Sequence, residues 1–302
     1  MKSLMNMQSI SRLGTNYPLL IDHKESNGTG LANPSVLTIG DSLYINIRML
    51  NYTLYHSIGA KFWKDEGGKF PSRWGPLTYV HPENDARLVT NNYIAKWKDN
   101  PKFNKINMNL DIESLWQFAG LEDGRLVNWD NNIYITGVRR DTTDDGQGRM
   151  ELSKLENYSI KPIEVSRVRI EHPTDPNSYC EKNWMPVRDL PYHFVMDANP
   201  TKLVKVNPKT GECELVFEGE KLDIDGNMRG SSQIITHNDG YFAIVHDTNW
   251  WRFEDRCPEN KDAIYNHRLV QWDKNFVVQK VSWPFTFMDG QIEFCCGMDK
   301  LG

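Results

Sequence analysis

The chain has 302 residues, 39% hydrophobic, 11% aromatic and 25% charged, with a formal charge of -5. This is a soluble globular composition with enough apolar material for a sizeable core, and its acidic balance excludes a global basic footprint for nucleic acid. No segment approaches the ~20 apolar residues of a membrane span. Met1 to Asn16 lacks an apolar run of signal-peptide length, and the expected compartment is the cytoplasm.

Residues 1–30 read as a lead-in segment ending in the breaker cluster Gly28-Thr29-Gly30, and residues 31–302 read as one domain. Within it a strand-turn-strand device recurs. Asn33 to Tyr52 turns at Gly40-Asp41, Leu126 to Val138 at Asp130-Asn131-Asn132, and Leu203 to Phe217 at Pro208 to Gly211. Ile234 to Val245 turns at Asn238-Asp239-Gly240, and Leu269 to Val278 at Asp273-Lys274-Asn275. Each unit is apolar alternation, an Asp/Asn/Gly turn, then apolar alternation. Helical periodicity is almost absent; Glu151 to Asn157 gives the one hint, limited by Pro162. Ala60 to Leu115 is polar and rich in Trp, Lys and Asn, which predicts long loops plus one blade. The expected fold is all-β, a five-bladed β-propeller at four strands and roughly 40–60 residues per blade.

The stretch Gly120-Leu121-Glu122-Asp123-Gly124-Arg125 places two carboxylates and a guanidinium within four residues, ahead of an alternating run. A loop that presents acid and base groups and then enters a strand mounts a site on a rigid sheet. The alternative is a solvated turn in which Asp123 bonds nearby backbone and Gly124 takes a positive φ. Further polar clusters flank predicted strands: Asn33 with Arg48, Arg139-Arg140, Lys182-Asn183, Arg229, His246-Asp247, His267-Arg268 and Glu293. In a propeller such strand ends converge on one face. The five cysteines show no C-x-x-C spacing, so neither a disulfide framework nor a zinc site is indicated, and no metal or other cofactor is required. There is no nucleophile elbow, P-loop, dinucleotide fingerprint or H-E-x-x-H.

Asn33-Pro34 … Arg48, Gly120-x-Glu122-Asp123-x-Arg125, Lys182-Asn183-Trp184, Arg229-Gly-Ser-Ser-Gln233 … His246 and Asn266-His267-Arg268-Leu269 together resemble glycoside hydrolase family 130 over residues 30–300. That family comprises β-mannoside phosphorylases and hydrolases built as five-bladed propellers. The resemblance implies Asp123 as the proton-handling carboxylate, with Glu122 and Arg125 setting its pKa and orientation. Arg139, Arg140, Lys182 and His246 would bind phosphate or a diphosphate leaving group. The ending Ile292 to Met298 is similar to a branch described as glycosyltransferases.

The leading expectation is therefore a nucleotide-sugar-dependent inverting glycosyltransferase, with a glycan or a modified DNA base as acceptor. The Lys- and Asn-rich stretch from Lys96 to Asn109 would supply a local basic surface for the latter. The alternatives are a β-glycoside (mannoside) phosphorylase or hydrolase, with inorganic phosphate as co-substrate in the first case, and a non-catalytic glycan-binding propeller.

Overall fold

The structure is a computed structural model, and it describes residues 8–9, 14–15, 31–50, 53–55, 78–80, 87–97, 101–252, 261–288 and 292–300. Every regular element among them is a strand. Among the described residues no helix is long and apolar enough to cross a membrane.

Four blades follow one another in the chain. Blade I is built from β2 (Leu31–Ile39), β3 (Ser42–Leu50), β6 (Leu88–Lys96) and β7 (Asn104–Lys105), with β8 (Phe118–Ala119) added in parallel to β6. Blade II is the meander β9 (Glu122–Trp129), β10 (Asn132–Arg139), β11 (Arg149–Glu156) and β12 (Ile163–Arg169). Blade III is β13 (Met185–Pro186), β14 (His193–Ala198), β15 (Thr201–Val206) and β16 (Cys213–Glu218). Blade IV combines β17 (Arg229–Gly230), β18 (Ile235–His237), β19 (Gly240–Arg252), β20 (Lys261–Asp273), β21 (Val278–Val281) and β22 (Phe285–Thr286). The short β1 (Gln8–Ser9) pairs in parallel with β22.

The turns follow from residues that tolerate a left-handed backbone. Asp130 and Asn131, both at positive φ, join β9 to β10, as a tight hairpin between right-twisted strands requires. All five predicted hairpins form. The helical hint at Glu151 to Asn157 is corrected: these residues lie almost entirely in β11, and a register shift at Lys154/Leu155 breaks the strict alternation that marks a strand.

The expected five blades are also corrected: among the described residues there are four. The stretch expected to hold a blade of its own instead supplies β6 and β7, the outer strands of blade I. β4 (Thr53–Tyr55) and β5 (Thr78–Val80) form only a two-stranded ribbon. Gly28-Thr29-Gly30 and Cys257 lie outside the described residues.

Apolar faces pack blade against blade. Leu37 and Ile94 meet Leu126 and Ile135 between blades I and II. Trp129 and Met150 meet Trp184 and Phe194 between II and III. Met185 and Val195 meet Val245 and Trp272 between III and IV. The inner strands are joined by polar contacts around a common axis. Ser35 Oγ accepts from the Leu126 amide at 3.3 Å, and Gln233 Nε2 donates to the carbonyls of Val36 (2.7 Å) and Leu126 (2.9 Å). Arg188, beyond β13, donates to the Thr38 carbonyl at 3.1 Å. The result is a β-propeller arrangement.

Candidate active site

β9 opens the site, and its start is held in place by buried amides. Gly120, at φ +96°, lies so close to blade I that an added Cβ would stand 2.3 Å from the Thr90 carbonyl oxygen, so only glycine fits. Asp141 accepts from the Gly120 amide at 2.9 Å and from Ser114 Oγ at 3.1 Å. Asn92 donates to the Leu121 carbonyl at 2.8 Å, and Asn46 to the Gly124 carbonyl at 3.0 Å. Polar side chains at strand positions that would otherwise be apolar thus fix the approach to Glu122 and Asp123.

Asp123 is not in a solvated turn, and Gly124 is not its left-handed residue: Asp123 itself has φ 53°. Its carboxylate accepts from Asn33 Nδ2 at 2.5 Å and from Arg48 Nη1 at 2.8 Å. The second nitrogen of the same guanidinium lies 3.4 Å from Glu122 Oε2. Arg125 Nη1 donates to the Asp123 carbonyl at 2.9 Å, and Arg125 Nε to the Ser231 carbonyl in blade IV at 2.6 Å. Burial pushes the Asp123 carboxyl up. The charges of Arg48 and Arg125, the Asn33 hydrogen bond and the charge of Lys182 more than offset it, and the net position is below the usual carboxylate range.

The inner ends of all four blades contribute. Asn33 (φ 48°), Asp123 (φ 53°) and Asn183 (φ 65°) carry positive φ in β2, in β9 and just before β13. Such conformations persist only where the surroundings over-determine them, and they cluster at functional sites. Gly230 in β17 packs on Asn183; an added Cβ would be 2.0 Å from its carbonyl oxygen. Ser231 Oγ is bonded to His246 Nδ1 at 2.8 Å, and Arg229 sits opposite His246 in the ladder. His246 is pushed down to about 3 by burial first, then by His267, Arg229, Arg125 and Lys182. It is therefore a neutral imidazole at physiological pH. The charge of the exposed Lys182 is felt at both Asp123 and His246.

The other predicted residues fall elsewhere. Arg139 does not join the cluster. It is 1% exposed and ion-paired with Asp111 (2.8 Å), Asp141 (3.4 Å) and Glu151 (3.1 Å) inside blade II. Arg140 lies at the edge of the site, stacked against Phe118 and Tyr179 and donating to the Gly146 carbonyl at 3.0 Å. Its charge reaches Cys180, as do those of Lys182 and Glu122. Asp247 and Arg268 pair at 2.8 Å, and Arg268 also donates to the Ser282 carbonyl at 3.2 Å, a clamp within blade IV. His267 is buried behind His246 against Phe285 and Phe287, and burial pushes it down to about 4. Glu293 accepts the amides of Phe287 (2.5 Å) and Met288 (2.8 Å).

Ser231, which links Arg125 to His246, belongs to the Arg229–Gln233 cluster but has no role assigned from the sequence; a serine in a short polar run carries no periodic signal. Among the described residues, no group of three or more His, Cys, Asp or Glu side chains converges as a metal site.

No family model and no curated protein matches the chain. Among solved structures, a glycosyl hydrolase from Bacteroides ovatus is similar at 10% identity and TM-score 0.46, covering 84% of this chain and 70% of that one. A mannose phosphorylase from Leishmania mexicana in complex with phosphate ion is similar at 11% identity and TM-score 0.44, covering 85% and 68%. An α-L-arabinanase from Cellvibrio cellulosa, complexed with arabinohexaose, is similar at 9% identity and TM-score 0.38, covering 86% and 80%. These are described as glycoside hydrolases and phosphorylases, and the expectation of a nucleotide-sugar-dependent glycosyltransferase is corrected accordingly.

Proposed function

We propose that this chain is an inverting phosphorylase of β-linked glycosides, with Asp123 as the proton-handling carboxylate and inorganic phosphate as co-substrate. The observation that carries the reading is a buried carboxylate held on strained backbone among Arg48, Arg125 and Lys182. A hydrolase needs no anion site beside its acid; a phosphorylase does. The substrate class, β-mannosides, follows the sequence resemblance.

The chemistry balances within this set. A phosphate oxygen attacks the anomeric carbon from the face opposite the glycosidic oxygen. The C–O bond to the leaving sugar breaks, and the new C–O bond to phosphate forms with inversion. Asp123 delivers a proton to the departing oxygen, and the proton of the hydrogen phosphate replaces it. Among the cations that keep Asp123 ionised, Lys182 is exposed and open to phosphate, while Arg125 is fully buried and Arg48 nearly so. A bound dianion neutralises the Lys182 charge and raises the Asp123 carboxyl, so anion binding itself prepares the acid. Neutral His246 and the serine beside it add hydrogen-bonding groups without further charge.

A second reading, a hydrolase, draws on Glu122, the other carboxylate on Arg48, as base toward water. Cleavage of a β-mannoside panel with and without phosphate separates the two. A rate that rises with phosphate supports the phosphorylase, and an indifferent rate supports the hydrolase.

A further inference from the structure

Residues 293–299 have no regular secondary structure, yet their neighbours lie on all four blades. Cys296 is fully buried, its Sγ 3.9 Å from the Gly124 carbonyl oxygen in blade II. Gly297 lies flat on blade I: an added Cβ would be 2.6 Å from Ser35 Cα and from the Val36 nitrogen, so no side chain fits. The Met298 amide donates to Gln233 Oε1 of blade IV at 3.0 Å. Asp299 bonds the Thr38 amide of blade I and pairs with Arg188 beyond β13 in blade III. This segment therefore touches every blade at or beside its inner strand.

The residue it brings to the site is Phe294. The ring meets His246 edge-on, with centroids 5.0 Å apart, and the imidazole also stacks on Tyr265 at 5.1 Å. Arg125 Cζ lies 5.9 Å from the same phenyl centroid. Arg125 has Nε and Nη1 fixed on the carbonyls of Ser231 and Asp123, and its buried Nη2 has no hydrogen-bond partner among the described residues. An unsatisfied donor on a buried guanidinium is costly unless a ligand takes it.

We propose that Phe294 is a positioning residue of the anion site: it holds the planes of His246 and of Arg125, whose buried Nη2 has no partner, beside Asp123. Its side chain touches no reacting atom; it acts through the two groups it packs against. The proposal rests on the reading of this locus as a phosphate site, so its test carries a second readout that does not.

Inorganic phosphate is titrated calorimetrically into the full chain as wild type, Phe294→Ala, Phe294→Leu and Phe294→Tyr. In parallel, diethyl pyrocarbonate, which acylates neutral imidazole, is scored at His246 by mass spectrometry. The expected result is about tenfold weaker phosphate binding and faster His246 acylation in Phe294→Ala, with an unchanged melting temperature. Phe294→Leu falls between, and Phe294→Tyr stays near wild type. If Phe294→Ala does not fold, Phe294→Leu decides, because it keeps bulk and loses the ring. Wild-type phosphate affinity in the folded alanine or leucine variant overturns the proposal. If the wild type binds no phosphate, the phosphorylase reading falls. The positioning role then stands or falls on acylation alone, and equal labelling of His246 in wild type and variant overturns it.

Discussion

Asn33 and Asp123, 90 residues apart, meet in a 2.5 Å hydrogen bond, and both hold left-handed backbone. The strain in two different blades is therefore spent on one contact. A bulge in β2 between Ala32 and Ser35, and another in the β9–β10 pairing opposite Glu122, aim the two side chains at each other. Arg48, from the second strand of blade I, completes the carboxylate's surroundings.

Asp123→Asn keeps the size of the side chain and removes the exchangeable proton. Turnover is expected to fall ~10²–10⁴-fold, with the circular dichroism spectrum unchanged. Progress curves on a cleaved β-mannoside check it. Retention of more than about a tenth of the wild-type rate would show that Asp123 is not the acid.

Arg48→Met removes the largest influence that lowers the Asp123 carboxyl, leaving burial to raise it. The carboxyl stays protonated to higher pH, so the alkaline limb of kcat/KM for phosphorolysis moves up while the rate itself falls. Stability responds too. A carboxyl held below its usual value contributes stability above its unfolded pKa of ~4 and loses it as pH falls through the folded value. That contribution shrinks in Arg48→Met, and leaving a mostly buried carboxylate without its partner costs about 3 kcal/mol. Urea midpoints at neutral and acid pH measure both effects.

His246 and His267 are both held neutral, at about 3 and about 4. Each binds a proton more readily in the unfolded chain. Stability is therefore full above ~6.5 and is lost as pH falls toward 3–4. Denaturation midpoints should drop steadily between pH 6.5 and pH 4, and His267→Gln should flatten that slope. The activity profile should show no inflection between pH 6 and 7 from either histidine.

Arg139 separates folding from function. Its partners Asp111, Asp141 and Glu151 lose their shared cation in Arg139→Met, and burial already pushes Glu151 up. The variant should lose about 3–5 kcal/mol of stability. At a temperature where it remains folded, its phosphate affinity should match the wild type.

The hairpins were legible because each turn is spelled locally by Asp, Asn and Gly between alternating runs. The Gly120–Arg125 stretch was legible for a similar reason: dense charge ahead of a strand. The ring closure was not, because it depends on which strand ends meet. Nothing local in Arg139-Arg140 tells that one guanidinium turns into blade II and the other toward Tyr179. The blade count failed because β6 pairs with β3, which ends about forty residues earlier, beyond the reach of periodicity. Phe294 stands in the Ile292–Met298 ending, but no role for its ring was legible, since an irregular segment has no period to read.

Phosphorus-31 nuclear magnetic resonance of the wild-type protein, incubated with β-linked mannosides and inorganic phosphate, tests the central claim most directly. The account predicts that phosphate is consumed as an α-configured sugar 1-phosphate accumulates, in step with release of the shortened glycoside and absent in Asp123→Asn. Free reducing sugar appearing at the same rate with and without phosphate, and no new phosphorus signal, would contradict it.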